Sequence, residues 1–411
     1  MSKVYIETYG CTMNRGDAEI MAASLGDRYT DDIDKADIVV INSCGVKLQT
    51  ERKNLRRIEE LCDSKKVIVA GCLPKISPEK IDNRVRGLLD PQSAHRIREA
   101  VERVEKREKV KIFSENTDKS CFKKKRGGIT AILPISEGCL GSCAYCGTKH
   151  ARGNLLSFNF DNLIGEARKA VKNGYKQLYI TSQDTGCYGF DTGHTLPELL
   201  KEMTEIEGRF RIRVGMMNPN HTLKIIDELI EVYRSKKIYN FLHIPVQSGD
   251  NTVLERMNRR YTVEEFEYIV KKFRKKIDDF YLCTDIIVGF PGETNEAFNN
   301  TVELIERTRP DKINVTRYSI RPNTEAEKMK QLYGGVKKER SRKLHYLRMR
   351  IGKEINESYV GKECEILVTR KGSPHMIGRM ENYKPVVLEG KIGEFEKVRI
   401  TKAKATYLMA V

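Results

Sequence analysis

The chain has no tryptophan, no run of 18 or more apolar residues, and no basic, long-cored leader at its start. Without tryptophan, stacking on a base is left to Tyr, Phe, His and Arg. Without a long apolar run, a helical membrane span is excluded. Residues 3–9 (Lys-Val-Tyr-Ile-Glu-Thr-Tyr) open directly as a strand, so no secretory leader and no membrane partner are expected, and the location expected is cytoplasmic. An acidic excess is missing as well. The 74 Lys and Arg outweigh 57 Asp and Glu, for a net charge of +17, and a field of that sign selects polyanions as partners. The charge is unevenly spread: residues 337–411 hold 18 Lys/Arg against 9 Asp/Glu, a net +9. A second basic run is Lys119, Lys123, Lys124, Lys125 and Arg126. Clustering of this kind favours a nucleic-acid footprint over general solubility.

What the chain has in abundance is cysteine, eleven in 411 residues. In a chain read as cytosolic these are reduced thiols, and metal binding is their leading use. Cys139, Cys143 and Cys146 lie in Glu137-Gly138-Cys139-Leu140-Gly141-Ser142-Cys143-Ala144-Tyr145-Cys146-Gly147. Thiolates spaced C-x3-C-x2-C can hold three corners of a cubane iron–sulfur cluster and leave one iron open to bind and activate a small molecule. A zinc knuckle completed by His150, or unrelated buried thiols, are the other readings. Structural zinc usually shows two C-x2-C pairs or a Cys/His pair set.

A second set comes from the first 100 residues, where short β-branched runs at 4–9, 38–42 and 66–70 alternate with helical stretches at 15–25 and 50–62. Such alternation predicts a Rossmann-like parallel sheet. Each run leads to a cysteine: Cys11, Cys44 and Cys72, each with a glycine beside it or one position away. They recur about once per βα unit, and ligand sites in open α/β sheets form at that strand edge. Three ordinary buried thiols are the alternative.

Residues 105–128 are charged, without apolar periodicity, and read as a basic linker. Beyond them, strands are expected at 131–135, 177–182, 211–216, 240–245, 280–288 and 312–317. Helices lie between, at 162–173, 195–206, 223–234, 262–276 and 295–308. Six βα units predict a partial parallel barrel with its site at the carboxyl ends of the strands. The charged stretch 337–350 reads as a helix leading to the C-terminal segment. There, short strands at 363–369, 376–380, 385–388, 394–400 and 406–411 predict a small antiparallel barrel, with Tyr359, Tyr383, Phe395 and Tyr407 beside its basic charge for nucleic acid. The expected organisation is 1–104, 105–128, 129–350 and 351–411.

With these features together the chain resembles the methylthiotransferase family of radical S-adenosylmethionine (SAM) enzymes. The resemblance rests on both cysteine sets and on Ile180-Thr181-Ser182-Gln183-Asp184-Thr185-Gly186, His243-Ile244-Pro245-Val246-Gln247-Ser248-Gly249 and Thr284-Asp285-Ile286-Ile287-Val288-Gly289-Phe290-Pro291-Gly292-Glu293-Thr294. The C-terminal segment resembles the TRAM domain, an RNA-binding barrel. The stretch Cys146-Gly147-Thr148-Lys149-His150-Ala151-Arg152-Gly153 resembles the archaeal and eukaryotic branch, which acts on N6-threonylcarbamoyladenosine beside the tRNA anticodon. Other branches act on isopentenyladenosine in tRNA or on a ribosomal protein. One departure is Asn323, where the family usually has Gly; Asn tolerates a left-handed backbone.

The resemblance implies two [4Fe-4S] clusters and SAM as cofactors. It implies tRNA as substrate, an electron donor such as a ferredoxin or flavodoxin, and a monomeric enzyme. The SAM-cleaving cluster falls to Cys139, Cys143 and Cys146, and the auxiliary one to Cys11, Cys44 and Cys72. Polar groups at barrel strand ends are expected to hold SAM: Ser182, Gln183, Asp184, Arg213, Gln247 and Ser248, with Tyr145 against the adenine. Lys149, His150 and Arg152 are expected at the RNA or at the threonylcarbamoyl carboxylate. Capping of strands and helices, and a solvated loop, are the structural alternatives. An iron–sulfur RNA-binding protein without catalysis is the competing class. Cys62, Cys121, Cys187, Cys283 and Cys364 match no motif.

Overall fold

The computed structural model describes residues 1–410; Val411, the last residue of the final expected strand, lies outside them. The N-terminal part is a parallel sheet of six strands. These are β1 (Val4–Thr8), β2 (Tyr29–Thr30), β3 (Ile38–Ser43), β4 (Lys66–Gly71), β5 (Gly87–Leu89) and β6 (Val110–Ile112), in the order β2-β1-β3-β4-β5-β6. β3 reads Ile-Val-Val-Ile-Asn-Ser and is buried at every residue, because helices cover both faces of a parallel sheet. Ile38, Val40 and Ile68 pack on one face, and Val39, Ile41, Val67 and Val69 on the other. Thr8 stands opposite Asn42, and Ser43 opposite Gly71. The three central strands therefore finish level, and the chain turns off one common edge.

The expected linker is not free chain. β6 falls inside it and pairs with β5. Lys119, Lys124 and Arg126 of the basic run are paired within the protein. Lys124 Nζ lies 2.5 and 2.6 Å from the Glu166 oxygens, and Arg126 reaches Glu19 at 3.1 Å and the carbonyl of Ile132 at 2.9 Å. Lys125 sits over the Tyr29 ring, and Lys119 is buried. This stretch straps helix Thr12–Leu25 to helix Phe160–Lys172, with Lys123 and Lys125 still exposed.

The central part contains β7 (Thr130–Pro134), β8 (Ser136–Glu137), β9 (Leu156–Ser157), β10 (Gln177–Thr181), β11 (Arg211–Val214), β12 (Phe241–His243), β13 (Tyr281–Val288) and β14 (Lys312–Arg317). Two parallel sheets, β7-β10-β11 and β12-β13-β14, are joined through bonds of Ile212 and Tyr239 (Ile212 N to Lys237 O 2.6 Å; Tyr239 N to Ile212 O 2.9 Å). The result is an open arc of six strands. Helices coat its outside; two of them start at capping boxes, Thr195 with Glu198 and Thr262 with Glu265. The short antiparallel hairpin β8–β9 brackets residues 138–155, so the Cys139–Cys146 loop hangs from both sides at the end of the first barrel strand.

Helix Gly334–Glu357 runs down to a closed barrel of β15 (Glu363–Lys371), β16 (Met376–Met380), β17 (Pro385–Leu388), β18 (Phe395–Ala403) and β19 (Leu408–Ala410); its pairings are antiparallel as expected except β17–β19, which is parallel and closes the barrel. This barrel docks on the amino ends of the central strands through buried polar pairs. Lys384 Nζ meets Asp311 at 2.8 Å and Asn356 at 2.8 Å, and Asn382 donates to Asp279 at 3.0 Å. The N-terminal sheet closes the opposite end through Arg152–Asp17 and Arg321–Glu51. No helix among the described residues is long and apolar enough to cross a membrane.

Candidate functional site

Cys11, Cys44 and Cys72 stand where β1, β3 and β4 leave the sheet. Cys11 caps helix Thr12–Leu25, and the Cys72 N–H donates to the Ser43 carbonyl at 3.1 Å. The Asn14 amide donates to the carbonyls of Tyr9 and Ser43, 2.9 Å each, and ties two strand ends together. Gly10, at φ +100°, allows the approach: a Cβ there would lie 2.6 Å from Cys44 Cβ. Cys44 and Cys72 are buried while Cys11 is exposed. Burial pushes the Cys72 thiol up to about 12 although the Arg152 guanidinium opposes it.

The second set is held as tightly. Gly138 has φ +74°, and a Cβ on it would lie 1.8 Å from the Asn154 carbonyl oxygen. The Gly141 N–H donates to the Cys139 sulfur at 3.2 Å, and Arg259 Nη1 to the Cys143 sulfur at 3.2 Å. A Cβ at Gly141 would sit 3.4 and 3.8 Å from the Cys139 and Cys143 sulfurs, so these two flank one glycine. Burial, then the nearby Asp184 carboxylate, raise the Cys139 thiol to about 12. Every cysteine is a free thiol. Two sets of three sulfurs, with N–H donors already aimed at two of them, form a donor set that fits iron–sulfur clusters.

Between the two sets runs a buried ion web. Arg152 pairs with Glu137 at 2.6 Å and with Asp17 at 2.8 Å, and donates to Asn14 Oδ1 at 2.9 Å. Lys119 meets the other oxygens of Asp17 and Glu137, both at 2.7 Å. All four charged groups are at most 2% exposed. Two cations and two carboxylates balance, and their hydrogen bonds offset the cost of burial. The web joins the N-terminal helix behind Cys11, the strand before Cys139 and the helix after Cys146. Arg152 is thus not the free cation expected beside Lys149 and His150. Lys149 Nζ is turned back on the Cys139 carbonyl, while His150 is exposed.

The expected SAM residues divide. Gln183 Oε1 is buried without a partner, and Gln247 sits at φ +68° with its backbone bonded to Asp285 and Ile287. Tyr145 packs edge-on against Phe290 with 6.3 Å between centroids. Ser182 and Ser248 hydroxyls accept from the N–H of Asp184 (3.0 Å) and Asp250 (3.3 Å). Asp184 is committed inside the protein: it accepts from the N–H of Gly186 and Asn218 at 3.0 Å each, and meets His221 at 2.7 Å. Arg213 is not at the strand ends beside the cysteine loop. Its guanidinium lies deeper, against the rings of Tyr179, Phe241 and Tyr383. Three aromatics expected at nucleic acid are also occupied. Tyr359 bonds Asp279, Tyr383 packs inward at a tilt against Phe241, and Phe395 is covered by the guanidiniums of Arg209 and Arg211.

Sequence reasoning missed Arg259, Asp17, Lys119 and Asn14. Only Glu137, two residues before Cys139, carried a positional signal. Asn323 takes φ +62° and donates its N–H to Glu327 at 2.8 Å, so the asparagine keeps the left-handed turn.

Three family models match. "Radical SAM superfamily" covers residues 133–305, "Uncharacterized protein family UPF0004" covers 3–88, and "TRAM domain" covers 357–411. A probable threonylcarbamoyladenosine tRNA methylthiotransferase of Pyrococcus abyssi is 54% identical over 100% of this chain and 99% of that one. The threonylcarbamoyladenosine tRNA methylthiotransferase of Homo sapiens is 34% identical over 90% of this chain and 66% of its own length. Among solved structures, the radical SAM methyltransferase TsrM of Kitasatospora setae, with cobalamin and a [4Fe-4S] cluster bound, matches with a TM-score of 0.59 at 13% identity. The match covers 80% of this chain and 74% of that one, and indicates a shared fold.

Proposed function

The chain belongs to the threonylcarbamoyladenosine tRNA methylthiotransferases, and from that premise we propose that it is a radical SAM enzyme that places a methylthio group on C2 of N6-threonylcarbamoyladenosine at position 37 of tRNA, giving the 2-methylthio derivative. Cys139, Cys143 and Cys146 would hold the [4Fe-4S] cluster that takes SAM, and Cys11, Cys44 and Cys72 the auxiliary [4Fe-4S] cluster. When bound, these groups supply one-electron cleavage of a sulfonium and a sulfur that can be methylated and transferred.

The residues of the chain bind, orient and shield. The Arg259 guanidinium and the Gly141 N–H donate to the Cys143 and Cys139 sulfurs and hold them in place. The partnerless Gln183 Oε1 is left to bind SAM. The N-terminal sheet closes over the carboxyl end of the barrel through Arg152–Asp17 and Arg321–Glu51, a cover that would limit water at the reacting centre. Exposed Lys397, Arg399, Lys402 and Lys404 offer charge to phosphates. The reading includes a ferredoxin- or flavodoxin-like electron donor and a monomeric, cytoplasmic enzyme.

The observation that carries the proposal is the web around Arg152. One buried residue shares partners with the helix behind Cys11 and with the strand before Cys139, so both sets are fixed to one frame around one reacting centre. The test is anaerobic reconstitution with SAM, reductant and tRNA bearing threonylcarbamoyladenosine, followed by nucleoside mass spectrometry. A methylthio gain that disappears in Cys143→Ala is expected. SAM cleavage that persists in Cys143→Ala would refute the assignment of that loop.

A further inference from the structure

We infer that Arg213 is the group that recognises the carboxylate of the threonylcarbamoyl side chain; the inference rests on the substrate proposed above. A cavity of about 600 Å³ runs through the inside of the barrel to the C-terminal module. Thr12, the neighbour of Cys11, lines it, as do Arg213 in the middle and Arg379 and Tyr383 of the C-terminal barrel. A base held with its reacting carbon near Cys11 therefore has room to extend its N6 substituent toward Arg213.

The Arg213 guanidinium lies 5.1 Å from the ring centre of Phe241, 5.7 Å from that of Tyr179 and 5.8 Å from that of Tyr383. The Tyr179 and Tyr383 hydroxyls bond each other at 2.5 Å and fix two of the walls. The charge has no counter-ion. Arg213 Nε is buried without a hydrogen-bond partner, and among the described residues no carboxylate pairs with the guanidinium.

Lys384 and His243, which line the same cavity, are paired, whereas Arg348, Arg370 and Arg379 line it without a carboxylate partner among the described residues, as Arg213 does; what sets Arg213 apart is its enclosure by three aromatic rings. Arg211, two residues back on β11, pairs with Glu365 at 2.8 Å and Glu381 at 3.2 Å. Lys384 pairs with Asp311 at 2.8 Å, and His243 with Asp285 at 3.0 Å. A half-buried guanidinium left uncompensated is costly to the folded chain unless an anion arrives. Its planar fork suits a carboxylate, which it can bind bidentately. The aromatic walls suit a narrow organic side chain better than a hydrated backbone phosphate. The threonine carboxylate is the charge that distinguishes this nucleoside from adenosine and from isopentenyladenosine. An uncharged N6 substituent would leave Arg213 unpaired, and the site would select against it.

The experiment compares the holoenzyme on two tRNAs, one bearing the free threonylcarbamoyl acid and one its methyl ester. For the unaltered enzyme, kcat/KM should favour the acid by about tenfold to a hundredfold, the range of a charge-assisted hydrogen bond. Arg213→Gln should bring the ratio close to one by losing rate on the acid, and Arg213→Lys should restore part of it. The ratio is internal to each variant, so a partial loss of folded enzyme does not blur it. A preserved acid preference in Arg213→Gln would overturn the inference and leave the function standing. An equal loss on both substrates with weakened SAM binding would also overturn it, and would return Arg213 to the SAM site. No product from the acid with the unaltered enzyme would sink the proposed function, and this inference with it.

Discussion

Arg152 shows how much one side chain can carry. It is a single basic residue in a run of basic residues, yet it is 1% exposed and shares Asp17 and Glu137 with Lys119. Arg152→Met would leave two buried carboxylates with one cation. Breaking such a network costs about 3–5 kcal/mol, so chemical denaturation should show a loss of that size, and both cysteine sets should lose iron together. Arg259 predicts something different. It donates to the Cys143 sulfur at 3.2 Å from outside the cysteine motif. Hydrogen bonds and positive charge near a cluster sulfur favour the reduced state. Arg259→Met should therefore keep its iron but shift the potential of that cluster to more negative values in an EPR-monitored titration. An unmoved potential would mean that this hydrogen bond does not tune the site.

At the scale of elements, the hairpin β8–β9 matters more than its four residues imply. It holds both ends of the cysteine loop, and Gly138 makes the closure possible by passing against the Asn154 carbonyl. Gly138→Ala should open the hairpin. The expected outcome is loss of about half the bound iron, with the Cys11, Cys44 and Cys72 set unaffected, read by iron analysis and Mössbauer spectra. The long β-branched strands were legible in the sequence because alternation with helices predicts a parallel sheet. β6 was not: Val110-Lys111-Ile112 has no pattern of its own and becomes a strand only by pairing with β5.

At the scale of the whole molecule, the positive charge divides into structural and available parts. Lys119, Lys124, Arg126 and Lys384 are consumed by buried or half-buried partners, whereas Lys397, Arg399, Lys402 and Lys404 are exposed on β18 and just beyond it. Charge reversal of these four should weaken tRNA binding. It should also flatten the plot of log affinity against log salt by about 0.7–0.9 for each phosphate that is no longer neutralised. Lys384→Gln should instead destabilise the docking of the C-terminal barrel and leave the salt slope as it was. An unchanged slope in the fourfold variant would place the RNA elsewhere on the molecule.

The sequence by itself determined the alternation of the main strands and helices, a closing barrel of short strands and the two groups of three cysteines, because these depend on local periodicity and short spacing. It could not separate a charge in solvent from a charge in the core. Lys119 and Arg152 look in sequence like Lys123 and His150, and Arg213 looks like any polar group near a strand end. Only the tertiary structure decided that the first two are buried in a balanced web and that the third faces a cavity without a counter-ion. The reason is physical. A charged side chain takes its role from partners tens to hundreds of residues away, and their distance, and the water they displace, exist only once the chain has folded.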